Sequence, residues 1–276
     1  FILKEELVPS GANRLMFRLA PAISAMPAML AVAVIPFGYT AVIAGREIPL
    51  SLADLDVGIL YILALGGLAV YGIILGGWAS NSKYSLLGGL RASAQMISYE
   101  LSLMLAILSV VLVSGSLNLR EIVEQQRALT DWNVWTQPLA FVLFTIAMFA
   151  ETNRHPFDFA ECEPELVGGF HTEYSAMRFA LFFLGEYCAM TIMAALNTTL
   201  FWGGPSVPFW PEAPWWLGVG AFAVKTAFFL FLFIWVRWTL PRLRFDQLMR
   251  LGWQVLLPLA LANVTLTGAY MAFSGS

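Results

Sequence analysis

The sequence predicts an all-α, polytopic membrane bundle, and three observations carry that prediction. Hydrophobic residues make up 59% of the chain and charged residues 12%, about half the roughly 25% charge of a typical soluble domain. Mean hydropathy is +0.74. Apolar runs long enough for a bilayer core, which needs about 20 residues per helix, lie at about 18–38, 57–79, 93–114, 136–151, 177–200, 215–236 and 250–273. Polar or Gly/Pro-rich stretches bound almost every run. Barrel strands alternate over about ten residues, so runs this continuous predict helices.

The first run follows a basic segment with Lys4, Arg14 and Arg18. The second carries Gly66–Gly67, Gly76–Gly77 and a Gly72-x-x-x-Gly76 spacing, which predict close helix packing. Glu100 stands about seven residues into the third run. The following outer loop, 115–135, contains LREIVEQQ, a short interfacial helix by pattern. Run four ends on Glu151, run five carries Glu186 about nine residues in, and run six holds Lys225 near its middle. Trp78, Trp135, Trp202, Trp215, Trp216 and Trp238 stand near run ends, as interfacial belts require.

Loop charge sets the orientation. One side takes Lys4, Arg14, Arg18, Lys83, Arg91, Arg154, Arg178, Arg237, Arg242, Arg244 and Arg250; the other takes Arg46, Arg120 and Arg127. The richer side faces the cytoplasm, or the matrix in an organelle. No internal repeat or second domain is visible, so 1–276 reads as one integral membrane unit.

Several function classes fall away. A net charge of -3 leaves no basic footprint for nucleic acid. Cys162 and Cys188 have no C-x-x-C spacing and do not hold an iron–sulfur cluster unaided. His155 and His171 lack a metal-ligand spacing, so no metal is expected.

The inner loop 152–176, with the end of the run before it, is the unusual part. It gathers Glu151, Asp158, Glu161, Glu163, Glu165 and Glu173 on the face where positive charge normally collects. The acids alternate with Phe157, Phe159, Leu166, Val167 and Phe170, which suits a fully solvated loop poorly. A helical stretch is expected after Pro164. Crowded, partly desolvated carboxylates raise one another's pKa towards neutrality and can exchange protons.

Glu100 and Glu186 are expected on the order of 10–14 Å from the inner helix ends. A charge at the bilayer centre costs about 2.5–3.5 kcal/mol on insertion scales, so each should face protein or water. Inert ion pairs, with Lys225 neutralising a glutamate, are the plain alternative. Three buried acids against one base leave carboxylates in excess, which favours reversible proton binding.

The run AETNRHPFDFAECEPELVGGFHTEYS resembles the characteristic loop of one family, the membrane subunit at the heel of respiratory complex I (NADH:quinone oxidoreductase). LKEELVPSGANRLMFRLAP (3–21), LADLDVGILY (52–61), GWASNSKYSLLGGLRASAQMISYE (77–100), KTAFFLFLFIWVRWTLPRLRFDQLM (225–249) and LPLAL (257–261) match in family order. The family has eight transmembrane helices; the one absent here corresponds to its first, and its share of the quinone chamber takes no residue numbers.

The resemblance implies that Arg154, Asp158, Glu161, Glu163, Glu165 and Phe170 border a quinone chamber against the peripheral arm. Glu100, Glu151 and Glu186 would form the polar path from that chamber into the membrane, with Lys225 an internal counter-charge. The inner segments Lys4–Glu6, Lys83–Arg91 and Arg237–Arg250 would dock peripheral subunits. It further implies quinone as substrate and electrons from an iron–sulfur cluster of a neighbouring subunit. No NADH, flavin, cluster or metal would bind to this chain. Partners would be those peripheral subunits, the proton-pumping membrane subunits and lipid, in a bacterial inner membrane or the inner mitochondrial membrane. Two rival readings are a stand-alone proton or cation transporter, separable by ion flux in liposomes, and the membrane anchor of a related energy-converting hydrogenase, separable by quinone photolabelling.

Overall fold

The computed structural model describes residues 3–43, 46–158, 167–210 and 213–274. Helix α1 (Arg14–Ala31) starts where Asn13 caps it, its side-chain oxygen accepting from the Met16 N–H at 3.4 Å. Pro21 and Pro27 lie inside α1, which membrane helices tolerate. A 3₁₀ turn (Val32–Val34) leads to a hairpin of β1 (Thr40–Ile43) and β2 (Arg46–Pro49), antiparallel, with Thr40 opposite Pro49 and Ile43 opposite Arg46. This small ribbon is the one strand pair among the described residues of an otherwise helical chain.

Helices α2 (Gly58–Ala79) and α3 (Lys83–Ser114) form an antiparallel pair joined by a tight inner turn. The short α4 (Leu119–Gln125) falls on the stretch expected to form a short helix; it buries Leu119, Ile122 and Val123. Then come α5 (Asn133–Thr136), α6 (Pro138–Glu151), α7 (Ala176–Phe201) and α8 (Trp215–Thr239). The last span is composite: α9 (Phe245–Arg250), a π-helical turn (Leu251–Leu256) and α10 (Leu257–Ser274). Among the described residues, six helical stretches are long and apolar enough to cross a membrane, and Pro138–Glu151 is a shorter apolar helix. Its 14 residues rise about 21 Å, less than a bilayer core of about 30 Å. Neighbours enclose it: Ala140, Leu143, Phe144, Ala147 and Met148 are all buried.

Helix α3 extends further inward than its apolar run, which opens at 93 after what reads as a basic loop. The helix starts at Lys83, and Lys83 and Arg91 belong to it. A glycine face makes this possible. A Cβ on Gly77 would sit 2.6 Å from the Ser85 carbonyl oxygen, and one on Gly88 would sit 2.7 Å from the Gly169 Cα. Backbone therefore meets backbone at the inner end, and α3 stays helical where its charges suggest a loop. Glu100 consequently lies 17 residues from the helix start, about 25 Å along it, rather than 10–14 Å.

Two apolar clusters organise the bundle. The larger joins α3, α6 and α7 through Leu103, Ile107, Phe144 and Phe201. The smaller gathers Phe17, Val70, Ala92, Met96, Phe170, Tyr174 and Phe182 at the inner end. The Phe17 and Tyr174 rings stack there at 4.1 Å. The expected close packing of α2 is present: a Cβ at Gly72 would approach the Ser24 nitrogen to 2.5 Å. Exposed Trp216, Val224, Phe228, Phe231 and Trp235 give α8 an apolar outer face, as lipid or membrane neighbours require.

Candidate functional site

The site grows from the inner end of α6. Glu151 is the last helical residue, 6% exposed, and its Oε2 has no hydrogen-bond partner among the described residues. The chain then turns sharply. Asn153 takes a left-handed conformation (φ 49°) and donates through Nδ2 to the Met96 sulfur at 3.3 Å. Arg154 meets Glu186 with Nε 2.8 Å from Oε1. The Nε–H is not aimed along a hydrogen bond, so this is a contact ion pair. The same guanidinium lies over the Tyr187 ring at 4.5 Å.

Gln95 on α3 holds this turn. Fully buried, it donates through Nε2 to the carbonyls of Ala150 at 2.9 Å and Phe157 at 2.8 Å. One amide thus ties both ends of the segment carrying Glu151 and Arg154 to α3. Asp158 continues outward to Arg242, 4.0 Å away, which joins the loop to the linker before α9. Gln95 does not stand out in the sequence because it is uncharged; its one signal is a glutamine among apolar residues of a membrane helix, where polar side chains pair across helices.

Two adjoining cavities of about 60 Å³ each meet at Glu151. The first reaches Asn153, Phe170 and Glu186; the second runs beside Ile62, Gly66 and Ile192. Each has room for several waters, since one needs about 10–15 Å³ by this measure. Glu100 is half-buried and lines a separate groove of about 360 Å³ with Gly67, Tyr71 and Ile97. The Gly66–Gly67 pair of α2 lies between the two acids. A Cβ on Gly66 would stand 3.9 Å from Glu151 Oε1, and one on Gly67 would stand 3.4 Å from Glu100 Oε1. The pair, expected only to ease helix packing, also lets two carboxyls approach neighbouring positions on one stretch of α2 backbone.

The structure therefore brings Glu151, Glu186 and Phe170 around one inner cavity, with Arg154 paired to Glu186, Glu100 beside Gly67 of α2 and Asp158 at the loop exit. Glu161, Glu163 and Glu165 lie outside the described residues, as does the start of the helical stretch expected after Pro164; from Val167 the chain turns, and Gly169–His171 forms a single 3₁₀ turn. Lys225 is elsewhere. Its Nζ donates to the carbonyls of Trp202 (2.6 Å), Gly204 (3.1 Å) and Ser206 (2.7 Å) at the outer end of α7. The alternative in which it neutralises a glutamate is not what these partners give: among the described residues its charge is met by backbone carbonyls and by no carboxylate.

Beyond the spans, His171 packs against Phe170, Phe179 and Phe183 at ring distances of 5.0–5.8 Å. Burial in that aromatic setting pushes its imidazole down to about 4, so it is neutral near physiological pH. Burial likewise raises the Tyr174 hydroxyl above its ordinary value. Neither group supplies charge to the loop.

The family model described as NADH dehydrogenase matches residues 1–268. The chain is 54% identical to an NADH-quinone oxidoreductase H subunit (the second of that name) of Geobacter sulfurreducens, over 99% of this chain and 80% of that protein. It is 54% identical to the NADH-quinone oxidoreductase H subunit of Thermomicrobium roseum, over 97% of this chain and 79% of the relative. An H subunit of the same oxidoreductase from Cytophaga hutchinsonii is 48% identical over 98% of this chain and 80% of its own length. With nearly its whole length matched, and at this identity, the chain belongs to the NADH dehydrogenase family, alongside these oxidoreductase subunits.

Proposed function

We propose that this chain is the membrane subunit of a proton-pumping NADH:quinone oxidoreductase, that it walls a quinone chamber together with iron–sulfur-bearing peripheral subunits, and that its carboxyls pass the resulting proton demand into the membrane. The names of its relatives support the enzyme and its acceptor. The observation that carries the proton reading is the meeting of two cavities at Glu151, with Glu100 beside the next residue, Gly67, on α2.

Arg154, Asp158 and Phe170, with Glu161, Glu163 and Glu165 of the adjoining segment, border the chamber. Reduction of a quinone there with electrons from a partner's cluster creates negative charge. In a low-dielectric cavity that charge raises the proton affinity of nearby carboxylates. Glu151 answers first because it lies at the junction and its Oε2 has no hydrogen-bond partner among the described residues. Glu186 is held by Arg154 and sets the local field, while Glu100 receives the change beside Gly67 of α2 and presents it in an outward groove. Lys225 takes no proton in this scheme. The chain acts as one unit, in the bacterial inner membrane or its mitochondrial counterpart, beside proton-pumping membrane subunits and lipid.

The test compares two activities in one membrane preparation. Glu163→Gln, Glu165→Gln and Glu151→Gln should each lower quinone reduction and the proton pumping coupled to it by about 10-fold or more, the equivalent of about 1.4 kcal/mol. NADH oxidation by a hydrophilic artificial acceptor should stay intact. Wild-type pumping in all three would refute the reading, whereas equal loss of both activities would trace the defect to assembly.

A further inference from the structure

Helix α7 ends under an unusual load of backbone acceptors. The last four carbonyls of any helix lack partners within it, and here the chain adds more by folding back over residues 202–206. The first set is met locally. Trp202 and Gly204 N–H groups donate to the Thr198 carbonyl at 3.1 and 2.9 Å. Gln126 Nε2 donates to the Thr199 carbonyl at 3.2 Å, and Asn133 Nδ2 to the Leu200 carbonyl at 2.8 Å.

The fold-back itself depends on Gly203 and Gly204, both left-handed at φ 66° and 54°, a region costly for other residues. A Cβ on Gly203 would lie 2.6 Å from Trp132 Nε1 and 2.9 Å from the Gln126 carbonyl oxygen. Two successive left-handed residues aim the carbonyls of Trp202, Gly204 and Ser206 at one point. Lys225 Nζ occupies that point, at 2.6, 3.1 and 2.7 Å, with Ser206 Oγ at 3.5 Å. The Trp132 ring closes the remaining side, its centre 4.3 Å from Nζ, while its Nε1 donates to Ser206 Oγ at 2.9 Å.

Three converging acceptors use all three N–H bonds of an ammonium; a neutral amine has only two. The indole face also selects a cation, and positive charge at a helix C-terminus opposes the helix dipole. We propose that the 202–206 backbone is a cage for a monovalent cation, that the ammonium of Lys225 is its tethered occupant, and that a free ammonium ion takes its place when that side chain is cut back. Ammonium fits better than an alkali ion, because the cage presents directed acceptors rather than a full oxygen shell. The groove beside Lys225, about 430 Å³ and bordered by Pro208, Trp216, Gly220 and Val224, lies on the apolar face of α8.

The test uses the assembled complex in detergent and follows the temperature at which this tagged chain leaves the supernatant, a readout independent of what the complex catalyses. Lys225→Ala should fall by roughly 5 °C or more. Ammonium chloride should restore most of that loss, and tetramethylammonium chloride at equal ionic strength should not, because it lacks N–H donors. Lys225→Met should fall and stay low in both salts, since its side chain fills the space. An unshifted Lys225→Ala, or equal responses to the two salts, overturns the proposal. If Lys225→Ala does not accumulate, its amount in membranes from cells grown with each salt replaces the temperature, with the same two outcomes.

Discussion

Replacing Gln95 by leucine tests the geometry of the inner site most directly. The side chain is fully buried, and its amide serves the Ala150 and Phe157 carbonyls at 2.9 and 2.8 Å. Leucine has similar bulk and no donor, so the Phe157 carbonyl loses its donor away from water, while the Ala150 carbonyl keeps the Asn153 N–H at 3.3 Å. An orphaned acceptor costs about 1–3 kcal/mol and a lost hydrogen bond about 0.5–1.5 kcal/mol, which puts about 1.5–4.5 kcal/mol on one turn. Even about 2 kcal/mol changes a local equilibrium about 30-fold. The turn can recover part of this by leaving α3 and finding water, and that movement displaces Glu151 and Arg154. Gln95→Leu should therefore lower quinone reduction about 10-fold or more in membranes while hydrophilic-acceptor reduction persists. Gln95→Glu, of equal shape, should be at least as damaging because an ionised carboxylate faces two carbonyl oxygens. Wild-type quinone reduction in both variants would refute the view that this amide positions the turn.

Two further outcomes follow from the same inner end. Gly88→Ala places a Cβ 2.7 Å from both Gly169 Cα and Phe170 N, where only backbone can yield. It should cost about 1–3 kcal/mol and lower the temperature of half-inactivation, while Gly220→Ala, with nothing within 4 Å, should be neutral. Burial holds His171 down to about 4 against an ordinary 6.5, so the unfolded chain binds this proton first as pH falls. Stability from this group is whole above pH 6.5 and drains away between there and about 4, by up to ~3 kcal/mol. Thermal inactivation scanned from pH 7 to pH 5 should show a slope that His171→Phe flattens, and an unchanged slope would place the proton elsewhere.

The spans were legible because lipid imposes one requirement on every residue of a run. Less legible was where helices end. Residues 83–92 carry Lys83, Arg91 and two glycines, a composition that suggests a loop, yet they continue α3. Their stability comes from the close approach of Gly88 to Gly169, a contact 81 residues apart in sequence. The pairing of Arg154 with Glu186 is hidden for the same reason: opposite charges are visible in composition, but who meets whom depends on packing. The π-helical turn at Leu251–Leu256 has no compositional mark at all. It is fitted to α3, where Tyr99 donates its hydroxyl to the Leu248 carbonyl at 2.9 Å and Trp253 donates to Ser98 Oγ at 3.2 Å.

Lys225 shows the limit most sharply. An acidic side chain is the natural partner to expect for it, because charge in a membrane needs compensation. Every residue carries a carbonyl, however, so three carbonyls converging on one ammonium leave no compositional trace beyond the adjacent glycines that permit the turn. That outcome also changes the electrostatics of the bundle. With the lysine satisfied at the outer end of α7, no intramembrane lysine or arginine of a described span stands beside Glu100 or Glu151. Arg154, from the inner turn, is committed to Glu186 at 2.8 Å. On the proposed reading, a proton arriving at Glu151 is thus not competing with a fixed cation there. The easiest onward step is past the side-chain-free backbone of Gly66–Gly67 to Glu100, whose groove opens away from this chain. A bulky residue at Gly67, 3.4 Å from Glu100 Oε1 at its Cβ, would press on that step without touching the inner loop.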